Sequence, residues 1–215
     1  MVRVLGWLSA AALAVGLVMA FGVAPREVTQ GNVQRIMYVH VPLIIASYVA
    51  FGVLAVASLV YLIRRDPRAD RVAHASGEIG VMFVGLGIAT GSIWGKPTWG
   101  TWWTWDARLT TVAILFVMYV GYLLLRAMID DSERAARYAA VLGIVAALDI
   151  PLVHFSVYWW RTLHQPPSLM KPGGFTGSSS ILWPLLVNLV AFMILYAYLA
   201  ARRVRLLRAE AEATA

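Results

Sequence analysis

Long apolar segments recur six times along this chain, and they constrain its fold more than any other feature. A helix rises about 1.5 Å per residue, so roughly 20 residues cross the hydrocarbon core of a bilayer. Because 60% of the 215 residues are hydrophobic and only 13% are charged, a soluble domain could not cover this much apolar surface. The sequence therefore predicts an all-α polytopic membrane protein, one domain over residues 1–215 built as a bundle of six transmembrane helices. The segments cover residues of about 4–23, 41–63, 72–93, 107–128, 138–158 and 181–201.

The first apolar segment has two interpretations. It could be a cleaved signal peptide, with Arg3 as the charged flank and a cleavage site among the small residues at 20–24. A retained helix is favoured, because the apolar run is long for a signal peptide and its charged flank is thin.

Positive charges are divided unevenly between the two ends of the segments. Since cytoplasmic loops carry the excess of Lys and Arg, both termini and the connections at 64–71 and 129–137 are predicted to be cytoplasmic. The connections at 24–40, 94–106 and 159–180 are then predicted to face outward. This topology accounts for the net charge of +7 without nucleic acid as a partner. The richer side holds Arg3, Arg64, Arg65, Arg68, Arg71, Arg126, Arg134, Arg137, Arg202, Arg203, Arg205 and Arg208, and the poorer side holds Arg26, Arg35, Lys96, Arg108, Arg161 and Lys171.

Two features that the sequence lacks exclude certain kinds of site. The chain has no cysteine, which excludes disulfides, thiolate ligands and covalent haem attachment through a Cys-x-x-Cys-His motif. It also lacks the Gly-x-x-x-x-Gly-Lys-Ser/Thr loop that binds nucleotide phosphates. The chain therefore has no recognisable means of hydrolysing nucleotides.

The predicted outer connection at 94–106 is unusually rich in tryptophan. It contains five of the nine tryptophans of the chain. Indole rings favour the membrane–water interface, but five within so short a stretch indicate a platform for a large, flat, apolar ligand. Asp106 is predicted to cap the fourth helix through its carboxylate. The predicted platform consists of Trp94, Trp99, Trp102, Trp103, Trp105, Asp106 and Arg108.

Two of the four histidines share the outer face with this segment. His40 precedes the second apolar segment, and His164 follows the fifth. A single interfacial histidine is typically a surface residue, but two imidazoles from opposite sides would hold the iron of a porphyrin. Zinc is disfavoured, because it needs three or four close ligands and no aromatic wall. Four cations on this face suit the porphyrin propionates, namely Arg35, Lys96, Arg108 and Arg161.

The other two histidines and two acids have plainer interpretations. His74 is predicted to lie at headgroup level, and His154 to pack inside the bundle, where it is a candidate supporting residue for the site. Glu78 lies near the cytoplasmic end of its helix, where snorkelling or pairing with a partner and a role in a transport pathway are both open interpretations. Asp149 precedes Pro151, which predicts a kink with a local polar contact. The run of Pro, Gly and Ser at 166–180 is predicted to be non-helical and mobile.

Three segments carry a resemblance to a known family. Trp94-Gly95-Lys96-Pro97 followed by Trp99 to Thr110 resembles the tryptophan-rich WWD signature of haem-handling membrane proteins of cytochrome c biogenesis. Arg35-Ile36-Met37-Tyr38-Val39-His40-Val41-Pro42 and Thr162-Leu163-His164-Gln165 make the chain similar to the haem exporter protein C branch. The resemblance spans residues from Gln30 to the sixth helix.

The resemblance implies a function and a set of partners. His40 and His164 would be the axial ligands of a transiently, non-covalently bound haem b, held by the tryptophan segment. The haem would be presented to a membrane-anchored periplasmic chaperone, CcmE. Further implied partners are the ATP-binding-cassette ATPase CcmA, its membrane subunit CcmB and the single-helix protein CcmD, all at the bacterial inner membrane.

We therefore expect a haem-binding and haem-delivery subunit rather than an enzyme in its own right. A cytochrome c haem lyase of the same superfamily is an alternative, but such proteins are longer and have more helices. A b-type haem electron carrier would place paired histidines in the middle of the membrane. A transporter would show broken helices and midplane polar groups, for which only Asp149 and Pro151 give a hint.

Overall fold

The computed structural model describes residues 2–166, 169, 174, 175 and 177–213, and within them the protein is almost entirely helical. A turn of π-helix at Met19–Val23 extends the first helix, and a 3-10 turn at Val33–Ile36 leads into the second. The helices are α1 (Val2–Val18), α2 (Met37–Arg64), α3 (Pro67–Trp99), α4 (Ala107–Met128), α5 (Ser132–Ala147), α6 (Asp149–Trp159) and α7 (Ser179–Ala213).

Six helical stretches of the described chain are long and apolar enough to cross a membrane. The fifth stretch, Ser132–Trp159, combines α5 and α6. The predicted all-α fold with six membrane-spanning helices is thereby confirmed. An even number of spans leaves both ends of the chain on one side, and the assignment of that side to the cytoplasm stays a prediction.

Three helices extend further into the predicted outer connections than the sequence suggested. One is α7, which begins at Ser179, so the end of the run at 166–180 is helical and the prediction of a non-helical run is wrong there. We expected a connection over residues 94–106, but α3 continues to Trp99. It ends because Gly100 adopts the left-handed conformation (φ 78°) and donates its N–H to the Lys96 carbonyl. Likewise α2 begins at Met37, so His40 lies in a helical turn and not in an outer loop.

The break predicted near Pro151 is present, one turn earlier than the proline itself. α5 ends at Ala147 and α6 begins at Asp149, with Leu148 between them. Pro151 falls in the first turn of α6, where a missing N–H costs nothing because the first N–H groups of a helix have no internal partner.

The centre of the bundle is built on α2. Phe51 stacks on Tyr119 of α4 with ring centroids 3.7 Å apart, and the Tyr119 hydroxyl donates to the Gly143 carbonyl of α5. At one edge α1 packs along α7, where the buried Asn188 amide donates to the Gly16 carbonyl. Of these contacts, the stacking of Phe51 on Tyr119 joins α2 and α4, two of the helices that surround the cavity described below.

Charged side chains pair at the end of the bundle away from the tryptophans. Arg126 makes two 2.7 Å contacts with the Asp70 carboxylate. Arg203 binds Glu78 with two nitrogens, and the His74 ring lies 3.3 Å from the same carboxylate. The pairing expected for Glu78 is present, and His74 belongs to this cluster rather than lying alone at the surface.

Candidate functional site

A cavity of about 390 Å³ opens among α2, α3, α4 and α6, at the end of the bundle that holds the tryptophans. The irregular segment after α6 closes one side of it. Ligand pockets that bury most of a small molecule typically have volumes of 300–1,000 Å³. Its lining is mainly apolar and aromatic, and it includes His40, His154 and His164.

The His40 ring is fixed by the backbone of α3. Its Nδ1 lies 2.9 Å from the Gly87 carbonyl oxygen and 3.3 Å from the Thr90 hydroxyl. A carbonyl oxygen only accepts, so the Nδ1–H donates to it and the proton is assigned to that nitrogen. The Nε2 lone pair is then left for a ligand, which is the arrangement that metal-binding histidines use.

His164 repeats this arrangement on the segment after α6. Its Nδ1–H donates to the Gln165 carbonyl at 2.7 Å, and its backbone N–H donates to the Thr162 hydroxyl at 2.9 Å. Burial and the nearby Arg108 guanidinium lower the pKa of the His164 imidazole to about 4. The ring is therefore neutral at physiological pH, as a metal ligand must be.

The two imidazoles face one cavity at a distance that suits a shared metal ion. Their ring centroids are 6.5 Å apart, with the planes at 41°. A metal–imidazole bond is about 2.0 Å and the ring centroid lies about 1.2 Å behind the nitrogen, so two rings on opposite sides of one ion have centroids about 6.4 Å apart. The described residues contain no group of three or more His, Asp or Glu side chains that could hold a metal.

Four of the five tryptophans of the segment line the cavity. Trp94 meets the His40 ring edge-on with centroids 5.8 Å apart, and the Trp99 ring is 6.0 Å from that of His164. Trp102 and Trp103 complete this wall. Trp105 was expected in the platform, but it is 78% exposed and packs on Trp103 instead of lining the cavity.

Asp106 connects the tryptophan segment to the His164 segment. One carboxylate oxygen accepts the Leu109 N–H at 2.9 Å, which is the cap predicted for α4. The other oxygen accepts the Thr162 hydroxyl and the Leu163 N–H, both at 3.0 Å. The sequence predicts the cap, but it contains no signal for the second set of bonds.

Only one of the four cations proposed for propionates lines the cavity in the described chain. Arg108 lies in its wall and donates to the Val153 and His154 carbonyls. Arg35 donates to the carbonyls of Phe21 and Ala24, and Lys96 to that of Gly100. Arg161 is exposed.

Three contributions to the site were missed in the sequence. Gln30 accepts the Trp94 indole N–H at 2.8 Å and so holds the ring against His40. Gly91 lies against the His40 ring, and Tyr48 lines the inner end of the cavity. The glycine and the tyrosine share helical spacing with other lining residues, whereas Gln30 carries no recognisable pattern.

Part of the predicted mobile run lies outside the described residues, including Pro167, Ser168, Met170 to Gly173 and Thr176. The same is true of Lys171, which counted toward the charge of the outer face.

Comparison with known proteins decides the family. The family model described as Heme exporter protein C (CcmC) matches residues 1–215. This chain belongs to the Heme exporter protein C family. A Heme exporter protein C of Bradyrhizobium diazoefficiens is 49% identical over 211 residues, which are 96% of this chain and 80% of the relative.

More distant relatives agree with this membership. The Heme exporter protein C of Escherichia coli K12 is 39% identical over 202 residues, covering 93% of this chain and 81% of that protein. A putative cytochrome c biosynthesis ccmC-like mitochondrial protein of Arabidopsis thaliana is 38% identical over 201 residues, with coverage of 94% and 75%.

Proposed function

We propose that this protein binds haem b transiently and non-covalently through His40 and His164 and presents it to a periplasmic haem chaperone. The observation that carries the proposal is the pair of imidazoles 6.5 Å apart, each with its Nδ1–H bonded to a backbone carbonyl. With Nδ1 carrying the proton, the Nε2 lone pair of each ring would be left to coordinate an ion between them. Haem is the cargo of the protein in this proposal, not a resident cofactor.

Family membership supports the general role in haem handling that the proposal assumes. The relatives are named for haem export and for cytochrome c biosynthesis, and we assign this chain a role in haem handling for cytochrome c maturation. The six membrane-spanning stretches make it a multi-pass membrane protein.

The residues that line the cavity would make three kinds of contact with a porphyrin. The imidazoles would coordinate the iron, and the rings of Trp94, Trp99, Trp102 and Trp103 would cover the apolar macrocycle. The Arg108 guanidinium would neutralise a propionate, as a planar cation pairs well with a carboxylate. His154 remains a candidate supporting residue, because its carbonyl helps to hold Arg108.

The exposed aromatic surface next to the cavity supports a hand-over to a partner. Trp102 and Trp105 are largely exposed on the same short connection. In this proposal the partner is CcmE, while CcmA, CcmB and CcmD belong to the same assembly. The charge distribution supports our assignment of the site to the periplasmic face of the bacterial inner membrane.

An absorption spectrum of the purified protein tests the proposal. Wild type from a haem-replete host that also makes the partner proteins should carry six-coordinate, bis-imidazole haem. His40→Ala and His164→Ala should each lose that spectrum, because one axial ligand is removed. His74→Ala is the control, since His74 lies at the opposite end of the bundle.

A haem-free wild type from such a host would contradict the proposal. So would a bis-imidazole spectrum that persists in both cavity variants, because the ligands would then lie elsewhere.

A further inference from the structure

The cavity extends inward along α2 beyond the two imidazoles, as far as Tyr48. Tyr48 follows His40 by slightly more than two helical turns and lines the same cavity. At about 1.5 Å per residue its Cα lies about 12 Å deeper in the bundle. Helical side chains lean toward the N-terminus, which carries the phenol back toward His40. The walls at this depth are apolar and include Ile44, Ile45, Ile88 and Val112.

The Tyr48 hydroxyl is buried, and it makes no hydrogen bond to any residue that the structure describes. Inside a membrane bundle no bulk water is available to satisfy such a group. Buried polar atoms in native proteins nearly always have a partner, so an unpaired hydroxyl in a cavity wall points to a bound molecule.

The charge in the cavity wall indicates what kind of group that molecule brings. Arg108 lines the same cavity as Tyr48, and two backbone carbonyls anchor its guanidinium there. A bound carboxylate would accept hydrogen bonds both from this guanidinium and from the neutral Tyr48 O–H.

We propose that the Tyr48 hydroxyl donates a hydrogen bond to a carboxylate of the bound porphyrin. This inference rests on the proposed function. The carboxylate end of the ligand then points inward to Tyr48 and Arg108. The outer cations are less suited to it, because Arg35 and Lys96 do not line the cavity, whereas Arg108 does. The apolar edge of the porphyrin is left at the outer opening, within reach of a partner protein.

Two porphyrins that differ only in their carboxyl groups test this contact. Purified apo-protein in detergent is titrated with iron protoporphyrin IX and with its dimethyl ester. In Tyr48→Phe the affinity for the diacid should fall about tenfold or more, the usual effect of losing a hydrogen bond to a charged group. The affinity for the ester should change less than about twofold, because esters are uncharged and weaker acceptors.

Tyr196→Phe is the matched control. It removes a buried tyrosine hydroxyl that pairs with Ser76 outside the cavity, so both porphyrins should bind as they do to wild type. Retained binding of the ester by Tyr48→Phe also shows that the variant is folded. Iron-free protoporphyrin IX should show the same loss as the iron form, because the contact does not involve the metal.

The outcomes separate the two proposals. If wild type binds neither iron porphyrin, the proposed function fails. If wild type binds both and Tyr48→Phe leaves the ratio of the two affinities unchanged, only the Tyr48 contact is overturned.

Discussion

His40 depends on a neighbouring residue that has no side chain. A Cβ added at Gly91 would lie 2.9 Å from His40 Cε1 and 3.3 Å from its Nδ1. The same ring is tied to the Gly87 carbonyl one turn earlier on α3. The imidazole is therefore pressed against the helix backbone, and its Nε2 is held toward the cavity because the ring has little room to turn.

Replacing Gly91 with alanine should weaken iron porphyrin binding. We expect a loss of about tenfold, equivalent to about 1.4 kcal/mol, because the ring must shift away from its present position. The helix itself should gain slightly, since alanine favours helix more than glycine does. Titration of the purified apo-protein with iron protoporphyrin IX measures the change.

Gly121→Ala serves as the control, because nothing lies within 4 Å of a Cβ at that position in α4. Equal affinities for Gly91→Ala and wild type would show that the His40 position is not set by this contact.

Individual residues were predictable from the sequence to different degrees. His40 and His164 could be paired because ligand chemistry, charge distribution and family resemblance all pointed to one face. The partners of Arg35 and Lys96 could not be predicted, because the carbonyls that they reach become acceptors only once the helix ends are placed. The contact of Gln30 with Trp94 spans 64 positions of sequence, so no local pattern reveals it.

Among the structural elements, the connection between α3 and α4 has the largest influence on the site. Its last residue, Asp106, both caps α4 and binds the segment that carries His164. Because these bonds use different oxygens of one carboxylate, a single substitution can separate the two tasks.

Asp106→Asn should keep the N-cap of α4 and lose the hydrogen bonds to the segment that carries His164. The asparagine oxygen can still accept the Leu109 N–H, but its NH₂ group cannot accept from Thr162 or from the Leu163 N–H. We expect thermal stability to change little, because asparagine caps as well as aspartate. We expect haem to dissociate several-fold faster, since His164 is held less firmly.

Dissociation can be followed as transfer of haem to excess apomyoglobin. Asp131→Asn, which alters the corresponding cap of α5 far from the cavity, should leave the rate unchanged. A wild-type rate in Asp106→Asn would mean that the bonds to Thr162 and Leu163 do not hold the ligand.

Element type was easier to predict than element boundaries. Hydropathy identified all six spans, because a membrane-spanning helix needs about 20 apolar residues. The end of α3 was misplaced, since the apolar run stops near residue 93 while the helix continues to Trp99 and stops at Gly100.

At the scale of the whole molecule, the six spans place the two termini on one side of the membrane and the cavity on the other. The side facing the cytoplasm was inferred from charge alone. The absence of cysteine in the chain makes this orientation easy to measure, because any thiol introduced is the only one present.

Single cysteines at two exposed serines test the orientation. In intact spheroplasts, Ser178→Cys should react with a membrane-impermeant maleimide, because it lies on the side of the cavity. Ser132 is the first residue of α5, at the opposite end of the bundle, so Ser132→Cys should react only after lysis. The reverse pattern would invert the topology and place the cavity in the cytoplasm.

The backbone that carries His40 is held more firmly than the backbone that carries His164. His40 belongs to a helix of 28 residues, whereas His164 lies on an irregular segment held by a few side-chain hydrogen bonds. Such bonds contribute about 1 kcal/mol each, so this segment can detach locally at a small fraction of the cost of unfolding the bundle. In the proposed function, haem held between the two histidines would lose its contact with His164 first and its contact with His40 second. Haem could then be bound by both imidazoles and still be released without movement of any helix of the membrane domain.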